Sequence, residues 1–205
     1  MVPATLTLPK AGPVRLSRRS VLNFLSALCL GLSVVLFGQS AWIFAKAQLA
    51  QVLLGRALSQ SIVAGEPVKA WSWADTWPVA RIEISRIQAS AIVLHGGSGE
   101  ALAFGPALLN ETSRFGERGT AVVSAHRDTH FAFLKDVVVG DLISITRDDS
   151  LVFTYRVTGT SIVDWNNSGI DRHANGFNLI LATCYPFDAI TRGSQRYLVH
   201  AELVK

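Results

Sequence analysis

Residues 20–45 constrain this chain more than any other stretch. They are uncharged, mostly apolar, and fenced by Arg19 and Lys46. As a helix, about 25 residues span about 38 Å, against a bilayer hydrocarbon core of about 30 Å. The run is therefore long enough to cross a membrane with some tilt. A cleaved secretory signal is the alternative, and Ala45-Lys46-Ala47 resembles a cleavage site. Such signals have apolar regions of about 7–15 residues, so a retained anchor is the preferred reading. Lys10, Arg15, Arg18 and Arg19 precede the run, whereas only Lys46 and Arg56 follow it closely. The positive-inside rule then keeps residues 1–19 in the cytoplasm and exports everything after Lys46.

The charge distribution agrees. Lys and Arg total 19, Asp and Glu 15, and no acid precedes Glu66. The basic excess thus belongs to the short N-terminus and the rest is formally neutral. That gives no support for nucleic-acid binding, which needs surplus cations to displace counterions. A hydrophobic content of 49% with 17% charged excludes a disordered chain. Two cysteines exclude a disulfide-dense scaffold and a four-cysteine zinc site.

After the span, residues 46–78 read as a juxtamembrane helix and linker. Leu49, Val52, Leu53 and Ala57 repeat at helical spacing. This face is either part of a stalk, the preferred reading, or a dimerisation surface. Gly65-Glu66-Pro67 ends the helix. Trp71, Trp73 and Trp77 are expected to pack the linker onto its own domain rather than form a membrane-interface belt. Residues 79–205 change to short β-rich runs: 80–85, 89–95, 120–125, 141–146, 151–160, 178–184 and 196–204, with an eighth expected near 161–165. Asp148-Asp149-Ser150 reads as a hairpin turn. Short helices are expected at 100–109 and 129–136. Many short strands at close spacing make an all-β sandwich or closed barrel.

Cys184 has no partner within the exported part, because Cys29 lies in the span. It is either a buried or intermolecularly bonded structural cysteine or a reactive thiol. It ends the apolar strand Asn178–Thr183, and Tyr185-Pro186-Phe187-Asp188 breaks that strand. A nucleophile at a strand end is held firmly yet stays reachable from the adjoining loop. It needs a base or cation beside it. Of His95, His126, His130, His173 and His200, His126 has the best address, directly after the apolar strand Gly119–Ala125. Asp128 could orient an imidazole, but an N-cap for residues 129–136 is preferred. Arg196 begins the last strand and could stabilise an oxyanion; Arg192 is a competing cation in the preceding loop.

Taken together, Leu181-Ala182-Thr183-Cys184, Ser124-Ala125-His126-Arg127-Asp128-Thr129-His130-Phe131 and Arg196-Tyr197-Leu198-Val199 resemble the sortases, membrane-anchored cysteine transpeptidases. Ile180 and Ala125 stand where that family more often has Thr and Gly. Cys184-Tyr185-Pro186-Phe187 and Trp73-Ala74-Asp75-Thr76-Trp77-Pro78 look closest to the sortases of marine Gram-negative bacteria. The resemblance implies an eight-stranded β-barrel with short helices over residues 79–205. It implies an inner-membrane protein with its catalytic domain in the periplasm. It implies a C-terminal sorting signal similar to Leu-Pro-x-Thr-Gly, cleaved through a thioester on Cys184 and passed to an amine. His126 would move the proton, Arg196 would hold substrate and oxyanion, and Thr183 would assist at the site by binding substrate. The implied partners are an exported substrate protein, an amine acceptor and the membrane, with no cofactor, metal or nucleic acid. Two alternatives stay open: a cysteine peptidase that hydrolyses the same acyl-enzyme, and a non-enzymatic anchored β-domain.

Overall fold

A computed structural model describes residues 18–189, Thr191 and residues 193–204. Lys10, Arg15 and Arg192 lie outside the described residues, as does most of the 1–19 segment. Two compact units part between Lys46 and Ala47. Helix α1 (Arg18–Ala64) contains this boundary. Its Leu22–Gln39 stretch has a mean hydropathy of 1.8 and is long and apolar enough to be a candidate membrane span.

The described residues of the second unit form a closed barrel. Its strands are β1 (Pro78–Ile84), β2 (Ala89–His95), β3 (Ala107–Leu108), β4 (Gly119–Ser124), β5 (Leu142–Arg147), β6 (Val152–Asp164), β7 (Phe177–Cys184) and β8 (Gln195–Leu203), with a short helix α2 (Gly99–Phe104) after β2. The order around the barrel is β1-β2-β3-β4-β7-β8-β6-β5. β2–β3 and β4–β7 are parallel, and the other neighbours are antiparallel. Side chains alternate across a strand. Ile82, Val93, Val123, Ile145, Tyr155, Leu181 and Val199 therefore fill the interior as one core.

Strands β2, β4, β7 and β8 are also apolar outside. Ile92 and Leu94 of β2 are covered by Leu54 and Leu58 of α1, together with Ala101 and Ala107. Val122, Ile180 and Leu198 form an outer cluster on β4, β7 and β8, flanked by Leu109, Val163, Ile170 and Ala182. Burial on both faces explains why 91–94 and 179–182 read as unbroken apolar runs rather than alternating ones.

Several expectations need correction. The buried stripe of α1 is Ala50, Leu54, Ala57 and Leu58, whereas Leu49 and Val52 are exposed. This part of α1 is apolar on more than one side, and contact with β2 selects the stripe. The expected eighth strand at 161–165 is the end of the long β6. The remaining strand is β3, inside the segment read as helix 100–109. α2 stops at Gly105, Pro106 follows, and the next two residues are taken up by β2 and β4. The helix expected at 129–136 is a 3-10 turn, Ala132–Asp136, without a side-chain cap. Asp128 therefore caps nothing there; the fully buried Phe131 pulls the segment into the barrel before a helix can begin. The helix end is as read: Gly65 adopts φ +72° and donates its N–H to the Ser61 carbonyl at 2.9 Å. Trp71 packs edge-on against Phe104 at 4.7 Å and Trp77 stacks on His95 at 4.1 Å, but Trp73 is exposed.

One ion pair fastens the loop before β5. Arg86 donates to both oxygens of the buried Asp141 at 2.5 and 2.8 Å, and Val138 N–H donates to the same carboxylate at 2.9 Å. The Arg86 hydrogen bond holds the Asp141 carboxyl below its ordinary range; burial opposes this and the Val138 N–H assists. A depressed folded-state value means the stabilisation is complete above the unfolded value, about 3.9, and is lost as pH falls through the folded value. Thermal unfolding followed by circular dichroism should show wild type melting above Asp141→Asn at neutral pH. The gap should close as pH falls from about 5 to about 2; a gap independent of pH would contradict this role.

Candidate active site

Strand register sets two sequence-predicted residues directly opposite each other and leaves a third just past the end of the neighbouring strand. β4 and β7 run parallel with Ser124 opposite Ala182. The pairing continues one residue further, since Ala125 N–H donates to the Ala182 carbonyl at 3.2 Å. Two residues beyond Ser124 and Ala182 stand His126 and Cys184. On the other side, β7 and β8 are antiparallel with Cys184 directly opposite Arg196. Residues directly opposite in such a pair have Cα atoms about 4.5–5.5 Å apart. The row therefore pairs Cys184 with Arg196 across β7 and β8, Val163 of β6 extends it opposite Arg196, and His126 stands two residues past the end of β4, the strand on the other side of β7.

Alternation fixes the face. Leu179, Leu181 and Thr183 point into the barrel, while Ile180 and Ala182 belong to the outer cluster. Cys184 has the parity of the outer set. It is a half-buried free thiol; Arg196 is also half-buried, while His126 is exposed. The Arg196 Nη1 donates to the carbonyls of Gly193 and Gln195 at 3.1 and 2.9 Å. Its Nε and Nη2 have no hydrogen bond among the described residues, leaving donors for an incoming oxygen.

Thr183 is 1% exposed, and its hydroxyl donates to the Ala125 carbonyl at 2.7 Å. It faces the barrel interior and ties down the residue before His126. Ala125 is not among the positive-φ residues and is itself buried, so the turn needs no glycine there. The His126 turn has further ties. Phe131 N–H donates to the His126 carbonyl at 3.0 Å. Burial lowers the pKa of His130, the backbone at Ala103 of α2 works against this, and the nearby His126 adds to the lowering. Arg127 Nη2 donates to the carbonyls of Ala189 and Thr191, at 2.5 and 2.9 Å, in the β7–β8 loop.

The other histidines lie elsewhere. His95 stacks on Trp77. His173 is exposed, its N–H bonded to Asp171. His200 bonds to Ser161 Oγ at 2.7 Å and lines a cavity of about 480 Å³ with Ile170 and Asn178; burial lowers its pKa. It lies four residues along β8 from Arg196. Asp128 is exposed and has no hydrogen bond to His126 among the described ones. No group of three or more His, Cys, Asp or Glu among the described residues is arranged to hold a metal ion. Sequence reading missed Arg127 as a tie, because its partners are main-chain carbonyls far along the chain.

The chain is similar to known proteins. The family model described as the Sortase domain matches residues 82–204. Sortase D of Bacillus subtilis is 30% identical over 125 residues, covering 60% of this chain and 62% of that protein. The chain thus matches a little under two thirds of that relative's length. Among solved structures, sortase E from Streptomyces avermitilis is 29% identical with a TM-score of 0.53, covering 62% of this chain and 88% of that one. A sortase D5 from Clostridium perfringens, at 18% identity, has the same fold with a TM-score of 0.60 over 77% of this chain and 98% of that one.

The Thr183 hydroxyl generates a stability prediction. Thr183→Val keeps the shape but removes the donor, leaving the Ala125 carbonyl without that bond. The cost should be about 1–3 kcal/mol by denaturant unfolding, and Thr183→Ser should recover most of it. Equal stability of all three proteins would show that the bond carries nothing.

Proposed function

The chain belongs to the sortase family, and on that premise we propose that it is a membrane-anchored cysteine transpeptidase of the type found in marine Gram-negative bacteria. It cleaves a C-terminal sorting signal similar to Leu-Pro-x-Thr-Gly on an exported protein and transfers the acyl part to an amine. The observation that supports this reading is Cys184 paired with Arg196 across β7 and β8, with His126 just past the end of β4, which pairs with the other side of β7.

In this mechanism the Cys184 sulfur, as thiolate, attacks the carbonyl carbon of the scissile peptide. Negative charge moves to the carbonyl oxygen, where Arg196 stabilises it through the donors its loop leaves free. The C–N bond then breaks as His126 gives a proton to the leaving amine, and the acyl group stays on sulfur as a thioester. An incoming amine attacks the same carbon, His126 takes its proton, the C–S bond breaks, and Cys184 is restored. Thr183 acts from inside the barrel wall, holding Ala125 and with it the start of the His126 turn. The chemistry calls on no metal or cofactor. Water in place of the amine would make the same site a cysteine peptidase.

The N-terminal apolar stretch supports an inner-membrane anchor, with the short basic N-terminus in the cytoplasm and the barrel in the periplasm. Tethering suits the reaction, because an anchored enzyme and a membrane-held substrate tail share a thin layer and meet at raised effective concentration.

Intact mass spectrometry of the protein with a labelled Leu-Pro-x-Thr-Gly peptide tests this directly. An adduct on Cys184 should form, be absent in Cys184→Ala, and be released by an added amine as the amide. Release only as free acid at every amine concentration would make the protein a hydrolase. His126→Ala and Arg196→Ala should each lower turnover by about 100-fold or more with little change in melting temperature. A parallel loss of fold would make their roles structural.

A further inference from the structure

The inference concerns Arg127 and rests on the transpeptidase reading above. The leaving amine departs beside the group that protonates it, and the incoming amine reverses that path to the same place. That place lies on the His126 side of Cys184. Two segments border it: the turn from His126 to Phe131, and the β7–β8 loop after Cys184. The guanidinium of Arg127 joins them, with Nη2 bonded to the carbonyls of Ala189 and Thr191.

The arrangement is not one that stability alone would select. Arg127 Nη1 is buried without a hydrogen-bond partner among the described residues, and an unpaired buried donor is destabilising. The retained contact fixes a loop against a turn rather than filling the core, since Arg127 lies outside the core clusters. Both carbonyls accept from the one nitrogen Nη2, whose two N–H groups are fixed in the guanidinium plane; the N–H groups of an ammonium rotate and fix no such plane. The loop that Arg127 holds also returns the chain to Arg196, so the clamp spans both neighbours of the thiol.

We propose that Arg127 is a positioning residue for the second half of the reaction: it shapes the seat of the amine acceptor and so sets whether amine or water resolves the thioester. In either route the C–S bond breaks and His126 accepts the proton of the attacking N–H or O–H. Only the fit of the nucleophile differs. A loop released from Arg127 leaves room for water while losing the walls that orient an amine.

The test uses the full chain in detergent, a labelled Leu-Pro-x-Thr-Gly peptide and triglycine as the amine. Single-turnover mass spectrometry gives the rate of thioester formation, and product analysis gives the ratio of amide to free acid. In Arg127→Met, the amide-to-acid ratio should fall about tenfold or more and the KM for triglycine should rise, a larger effect than any slowing of thioester formation. Arg127→Lys should fall between Arg127→Met and wild type, and it supplies the measurement if Arg127→Met does not fold. An unchanged ratio, or thioester formation and transfer falling in equal proportion, overturns the proposal while leaving the transpeptidase reading intact. A wild-type protein that forms no adduct, or only free acid, overturns both.

Discussion

The parallel pairing of β4 with β7 is the constraint on which the rest of this structure depends. Side chains alternate with a period of two, so a slip of one residue turns every side chain to the opposite face. Slipped by one, β7 would bury Cys184 in the barrel and turn Thr183 outward. The register is held from inside by Leu179 and Leu181 against Val123 and Val199, and from outside by Ile180 against Val122 and Leu198. Apolar contact on both faces leaves little freedom to slide. A position that the sheet fixes so firmly can hold a reacting atom at its end.

The row is rigid in its strands and braced in its loops. Cys184 and Arg196 face each other across a regular antiparallel pair. His126 lies just past its strand, where nothing in the ladder holds it, and it is there that the ties accumulate. Thr183 secures the residue before it, Phe131 closes the turn, and Arg127 fastens the turn to the β7–β8 loop. The imidazole itself remains exposed, so the framework positions its backbone without occupying its ring.

The strands nearest the chemistry were the most legible in sequence. Unbroken apolar runs bounded by turn residues marked β4 and β7, and the three candidate residues each stood at or just beyond a strand end. Less legible were features decided by distant partners. β3 is a two-residue strand within a helical pattern, and its identity comes from β2 and β4 rather than from Ala107 and Leu108. The buried face of α1 depends on which apolar stripe meets β2, a choice that periodicity alone left to Leu49 and Val52. Thr183 was placed near the site, but its inward direction follows from the phase of β7. Arg127 was visible only as a member of a motif, because its partners are main-chain carbonyls some sixty residues away.

The account requires that the guanidinium of Arg196 leave or share its contacts with Gly193 and Gln195 when a carbonyl occupies Cys184. A crystal structure of the protein bearing a covalent disulfide analogue of the sorting peptide on Cys184 tests this most directly. The predicted result is the analogue's carbonyl oxygen within hydrogen-bond distance of Arg196 Nε or Nη2, with the His126 ring turned toward the sulfur. An Arg196 still bound only to its own loop, with the carbonyl facing solvent and His126 turned away, would contradict it.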